Sequence, residues 1–522
     1  NFKVYDSMYD GLPMSGGGAL HLVDKRLLPS QAQLSVAGND LSIKGSFGAP
    51  ADRLNIDLNA PALQRLGFGL SGLARLQGQV GGTISRPVVD ATYRAEKLTF
   101  GAHRVDFLSG LAKTQGVPGA TPDARVALSL DAKGVHSGDI DLSSLKAAID
   151  GTYASHTLRI DAGGRLRGKP LAVTIAAQGR LQEKPQGMSW SGMLNTLDNQ
   201  GLPRVHLGTP VAVTVAPGTL LLGATRLAVG PAAIELKSLR YGPGPGSIAS
   251  EGSVNALAVA EVLALREQFT GAASPVNTNL VLDANWNFSL GDKASGFARI
   301  VRKSGDVRVG ETALGLTEMV LRADLQASEM RLDARLAGSR FGTLDGQGRI
   351  GLQRADGMLS VTAQSPVSGQ VAAALPRLQS LAVLAGPGVA LAGSAAANIT
   401  IGGFLAAPKL AGTVNGDALA LTLYDQGVRL HDGIARLTLD NNVVALRQME
   451  FHGGDGTLRA TGRIALDRAN QGLSGTVIVH HLQLLASPSG ELTGSGQAKA
   501  ENVDAKLPVS GKFMVDQARF SL

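Results

Sequence analysis

The 522-residue chain contains no cysteine, which excludes a disulfide framework and thiol chemistry. Aromatic residues make up 4% of it, with two tryptophans, while glycine numbers 67 and the 44% of hydrophobic residues are mostly Ala, Leu and Val. A thick globular core draws its bulk from Phe, Tyr and Trp, so this composition points to shallow or narrow packing. No stretch of eighteen or more apolar residues occurs, which excludes a transmembrane helix in this sequence. The opening residues, NFKVYDSMYDG, lack the basic and apolar regions of a signal peptide. With the abrupt end at ARFSL, the expectation is a piece of a longer chain.

Charge of one sign is also not concentrated anywhere. Lys and Arg number 49 against 42 Asp and Glu, a net charge of +7. No run of five or six basic residues and no basic stripe interleaved with aromatics appears, so nucleic acid is not an expected partner.

The motifs of catalysis are equally thin. There is no GxSxG, no HExxH and no pair of carboxylates at a plausible cleft. GQGRIG (346–351) spells GxGxxG, but its glycines lie in a strand pattern rather than between a strand and a helix. GGRLRGKP (163–170) approaches a phosphate loop, but Pro170 stands where a magnesium-holding Ser or Thr belongs. His452, His480 and His481 lack metal-ligand spacing, and His431-Asp432 sits at an expected turn before Gly433. Trp190 and Trp286 read as packing at module edges. An enzyme is not expected, and no catalytic residue, cofactor or metal is assigned.

What the sequence does contain is period two. LAVTIAAQGRL (171–181) puts Leu171, Val173, Ile175, Ala177 and Leu181 on one side. MRLDARLAG (330–338) sets Met330, Leu332, Ala334 and Leu336 against Arg331, Asp333 and Arg335. GTLDGQGRIGL (342–352) aligns Leu344, Gly346, Gly348, Ile350 and Leu352. TLRATGRIAL (457–466) aligns Leu458, Ala460, Gly462, Ile464 and Leu466. Alternating side chains point to opposite faces of a strand, so these are strands with one apolar and one wet face. Gly, Asn and Asp clusters such as DNN (440–442), GGDG (453–456) and LDRANQG (466–472) mark tight turns between them. Short helices are expected at DLSSLKAAI (141–149) and LAVAEVLALREQF (257–269). NAPALQRLG (59–67) and LPRLQSLAVLAG (375–386) read as paired plugs, and YGPGPGSI (241–248) as a joint.

One plan is written more than once. GGTISRPVVDATYRAEKLTF (81–100) and GGFLAAPKLAGTVNGDALAL (402–421) share a Gly pair, a Pro at equal distance (Pro87, Pro408), an acidic residue (Glu96, Asp417) and closing apolar residues (Leu98 and Phe100; Leu419 and Leu421). A looser copy, SGKFMVDQARF, places Gly511, Asp516 and Phe520 in line with Gly412, Asp417 and Leu421. Each long copy follows a plug. At about 4.8 Å between strands, on the order of 35 strands would extend roughly 150 Å. So long a sheet must curl or twist. The fold class expected is mostly β: a long curled antiparallel sheet, a taco-like trough with a hydrophobic groove and a few short amphipathic helices.

These residues carry a resemblance. WNFSLGDKASGFARIVRKSGDVRVGETALGLTEMVL (286–321), with Trp286, Gly296, Ile300-Val301-Arg302, Ser304-Gly305-Asp306 and Leu314-Gly315-Leu316, resembles a recurring segment of the TamB family within the AsmA-like superfamily. The strand pair at 402–421 and its continuation, VRLHDGIARLTLDNNVVALRQMEFHGGDGTLRATGRIAL (428–466), are similar to that family's repeats. The resemblance runs from about residue 11 onward and identifies the chain as a central, periplasmic fragment. It implies a β-trough, a periplasmic place in a Gram-negative envelope, and an N-terminal inner-membrane anchor outside this sequence. It implies phospholipids as cargo between inner and outer membranes, or alternatively assembly of outer-membrane β-barrels and autotransporters. An outer-membrane barrel partner of the TamA type goes with both. The expected lining of the groove is Leu171, Val173, Ile175, Met330, Leu332, Leu336, Leu344, Ile350, Leu458, Ile464 and Leu466. The expected segments are trough repeats at 1–140, trough with plugs at 141–270, trough at 271–374 and trough repeats at 375–522, as one elongated module. A surface adhesin of solenoid type fits less well because the spacing is irregular. A membrane barrel would need aromatic girdles.

Overall fold

The computed structural model describes residues 1–522 except 25, 68, 84–85, 116–120, 243–246, 271–276, 310–311, 356–357, 386–387, 425, 466–472, 488–489, 502–508 and 521–522. It divides into two compact units. The first is Asn1–Pro243 with Gln268–Gly271, the second Gly244–Glu267 with Ala272–Leu522. The boundary at Pro243 and Gly244 falls inside YGPGPGSI, whose residues 243–246 lie outside the described ones.

Both units are antiparallel sheet built by meandering. In the first, Leu70–Thr83, Arg86–Phe100, His103–Thr114, Arg125–Ser137, Ile140–Thr152, His156–Leu166, Lys169–Lys184 and Gly187–Asn199 pair each with the next. In the second, the run from Glu329–Gly338 through Gly342–Gly351, Val367–Leu375, Val389–Phe404, Ala407–Leu423 and Val428–Asp440 does the same. The mostly-β, antiparallel class read from the period-two pattern is the fold observed.

The helices are fewer than the sequence pattern predicts. Val259–Thr270 is an α-helix, rich in the strong helix formers Ala, Leu, Glu and Arg, and its first amide, Val259 N–H, donates to Leu280 O. The two plugs are single 3₁₀ stretches, Leu63–Leu66 and Leu378–Ala385, each burying its first leucine. DLSSLKAAI is not a helix. It lies in the strand Ile140–Thr152. A β-bulge between Leu142 and Ser144 shifts the alternation by one residue, so Leu142 and Leu145, three apart, share a face. The three-residue spacing that imitates a helix is the mark of that bulge.

The bulge belongs to a longer seam. Gly72, Lys97, Asp106, Gly134 and Ser143 are each left out of the register between neighbouring strands, one strand after another. Bulges bend their strands and sharpen the twist. Register shifts at the two ends of this seam, at Gly72 and at Ser143, while Lys97, Asp106, Gly134 and Ser143 face one another between them without a shift, and the seam creases the sheet. The same device recurs in the second unit, where Gly393 faces Ala418. Thus the repeated sentence has a structural meaning. Its Gly pair and Pro form a hairpin end, with Gly82 opposite Pro87 and Gly403 opposite Pro408. Further along both hairpins the crease begins. The third copy keeps the strand, Val509–Phe520, and a bulge at Asp516.

Candidate functional site: the apolar face

In the first unit, register places apolar side chains in rows across the strands. Leu128, Ile149, Leu158, Ala177 and Leu194 lie directly opposite one another in turn, ending at Val211. The next row runs Val126, Gly151, His156, Gly179, Gly192 and Val213. The first row from Leu128 to Leu194, with Val126, His156 and Val213 of the second, lines a cavity of about 410 Å³ whose walls include Ile175, Leu181, Trp190 and Val215.

Trp190 completes it. The residue stands between Leu181 and Val215, and its ring covers Gly179, where a Cβ would come within 2.6 Å of Cζ2. The indole N–H donates to His156 Nε2 at 2.9 Å. His156 Nδ1 lies 3.0 Å from Thr152 O. A carbonyl only accepts, so Nδ1 carries the proton and Nε2 accepts from the indole. Tyr153, buried beside them, shares a hydrogen bond with the Thr114 side chain. Burial pushes its phenol above the ordinary value, and the Thr114 bond opposes that in part.

Leu171, Val173 and Ile175 alternate on the cavity side of their strand, all half-buried, and Ile175 reaches the cavity itself. In the second unit, Met330, Leu332 and Leu336 face Ile350, Gly348 and Leu344 in register. Small residues interrupt these rows: one runs Ala323, Leu332, Gly348 and Gly369, the next Leu321, Ala334, Gly346 and Val371. The rims are filled. Met330 packs against Ala294, Leu352 and Leu359, and Leu336 against Leu280, Leu282 and Leu316. Ile350 is buried. Leu458 packs into a cluster with Leu419, Leu430, Phe451, Val479 and Leu482. Ile464, 40% exposed, lines a second cavity of about 410 Å³ with Leu437, Val444, Leu446, Val477 and Ala498. Gly462 and Gly475 lie opposite each other on its floor. Leu466 lies outside the described residues.

The opposite face carries the charges, for example Arg322–Asp324 at 2.6 Å and Arg159–Asp161 at 2.7 Å. The motifs set aside in the sequence lie in strands and hairpin turns of the sheet. GQGRIG lies within the strand Gly342–Gly351, and GGRLRGKP spans a hairpin turn. His431 stacks on His452 with ring centroids 6.2 Å apart. Among the described residues no group of three or more His, Asp or Glu is placed to hold a metal. Nor does any described helix have the length and apolarity to cross a membrane. The Tyr153–His156–Trp190 cluster escapes a reading of the sequence, since register joins Trp190 to a turn, Tyr153 to His156, from another part of the chain. Trp190 lines a cavity rather than a module edge.

Ser304-Gly305-Asp306 and Leu314-Gly315-Leu316 prove to be one clamp. The Asp306 carboxylate accepts from the amides of Val307 (2.8 Å), Gly315 (2.8 Å) and Leu316 (3.0 Å). Burial pushes the carboxyl up, but those three N–H donors and Arg302 outweigh it and hold its pKa below the ordinary value.

Antiparallel sheets creased by bulges, with one apolar and one charged face, define a class of groove-bearing β-proteins. Within that class the comparison is specific: residues 10–214 match the family model described as TamB, N-terminal domain. Over those residues, in the first unit, the chain is similar to that domain. No curated protein and no solved structure matches it.

Proposed function

We propose that the apolar faces of this chain are lengths of a phospholipid path between the inner and outer membranes. The reading places the chain in the periplasm, anchored to the inner membrane through a segment outside this sequence and meeting an outer-membrane barrel partner of the TamA type. The observation that carries it is the apolar lining itself. In each unit a cavity is walled mainly by aliphatic side chains contributed by successive strands. Each buried CH₂ is worth about 0.8 kcal/mol, so an acyl chain gains on entering. A lining without outward-turned polar groups holds it at no single point.

A second reading, a scaffold for assembling outer-membrane β-barrels, is favoured by the strand Val509–Phe520. It pairs with Gly490–Glu501 and leaves Phe513, Met514 and Val515 exposed. An incoming strand could add there by β-augmentation.

Leu332→Asp and Ile464→Arg place charges on the apolar face, and Thr413→Asp places one at an exposed position on the polar face. The lipid reading expects the first two to abolish envelope function in cells with the far-UV spectrum of the sheet retained, and Thr413→Asp to be tolerated. Function that survives both groove charges would overturn it. Sensitivity confined to substitutions at Phe513 and Val515 would favour the scaffold.

A further inference from the structure

The cavity of the first unit differs from a uniform rail. Its polar groups are all turned inward on one another. Trp190 Nε1 is spent on His156 Nε2, His156 Nδ1 on Thr152 O, and the Tyr153 hydroxyl on Thr114. Nothing polar in the wall is left to meet a ligand, and a ligand polar group placed inside would be desolvated without a partner. The occupant the walls admit is therefore hydrocarbon. The volume, about 410 Å³, falls within the range of small-molecule pockets, about 300–1,000 Å³. The indole fixes one wall rigidly, because the His156 bond and the bare backbone of Gly179 beneath the ring leave it one seat. The second unit's cavity has a different construction. Its floor holds the facing glycines Gly462 and Gly475, and no aromatic ring is among its walls.

We infer that the first unit holds a discrete, saturable site for a single hydrocarbon chain of an amphiphile, walled by Trp190, with His156 as the residue that positions the indole. The polar end of the amphiphile stays outside. The inference rests on the reading of the apolar face as a lipid path and adds to it a fixed station.

The site carries its own reporter. In the full chain bearing Trp286→Phe, Trp190 is the remaining tryptophan. Two probes are titrated: 9,10-dibromostearate, and a phosphatidylglycerol carrying one dibrominated chain. Each quenches an indole only at close range. The inference expects saturable quenching at one probe per chain. Saturation by the phospholipid marks a chain of a membrane lipid, and saturation by the acid alone marks a free fatty acid. Ala177→Leu and Leu194→Phe each fill the cavity and should weaken the apparent affinity at least tenfold. His156→Leu should weaken it less and broaden the Trp190 emission, while His156→Gln, which keeps an acceptor, should restore both. Two filling variants guard against one failing to fold. Linear, unsaturable quenching, or an affinity in both filling variants equal to the parent's, would overturn the site. If lipid still crosslinks to Leu332 and Ile464 in the second unit, the lipid path stands and the station alone falls.

Discussion

Lys97 and Ala418 hold the same left-handed conformation, φ 48° each, at corresponding places in two hairpins far apart in the chain. Each faces a glycine of matching conformation, Gly72 and Gly393, both at φ 106°. The pairing is the start of the crease, and it explains why the sequence repeats there.

Substitution at the crease is therefore predicted to act with opposite signs on its two sides. A Cβ at Gly393 would meet Ala418 O at 2.5 Å, and one at Gly72 would meet Lys97 O at 2.5 Å. Gly72→Val or Gly393→Val should lose several degrees of melting temperature, with strain of about 1–3 kcal/mol. Ala418→Gly relieves a left-handed residue and should be neutral or gain up to about 1 kcal/mol, since part of the relief is offset in the unfolded chain. Denaturant unfolding distinguishes these. Equal destabilisation on both sides would contradict the crease.

Acid should loosen two clamps. The Arg26 hydrogen bond holds the Asp52 carboxyl down to about 2 against the effect of burial, helped by Ser46 and the Ala49 amide. Asp306 is likewise below its ordinary value. A depressed carboxylate stabilises the fold fully above its unfolded value of about 3.9 and loses that contribution as pH falls through the folded value. Amide exchange at Gly315 and Leu316, corrected for intrinsic rates, should accelerate below about pH 4. In Asp306→Asn it should be fast already at neutral pH and flat with acidification. Parallel pH profiles in parent and variant would be the contrary result.

The Trp190–His156 bond has a stability consequence of its own. His156→Leu leaves an indole N–H unpaired in an apolar wall, a loss of about 1–3 kcal/mol. Unfolding of the Trp286→Phe chain, followed by Trp190 emission, reads this change directly, and His156→Gln should recover most of it. Unchanged stability in His156→Leu would remove the bond from the account.

The sheet was legible because alternation survives almost everywhere. Leu171 to Ile175 and Met330 to Leu336 fall on the sides their spacing predicts. Legibility fails at bulges, where one inserted residue converts a two-residue period into three, as at Leu142 and Leu145. It fails again for the site. Register alone brings Trp190 to His156 and Tyr153, and no local pattern encodes it. Nor does alternation distinguish open from packed positions: Ile464 is exposed, while Met330, Leu336 and Leu458 share a face pattern with it but are covered by neighbouring clusters.

The most direct test of the central claim is photo-crosslinking in cells from probes at Val173, Leu332, Leu344 and Ile464, beside outward-facing controls at Thr174 and Arg331, followed by lipid identification. The account predicts phospholipid adducts at all four groove positions and none at the controls. Adducts to polypeptide without lipid at those positions would contradict it.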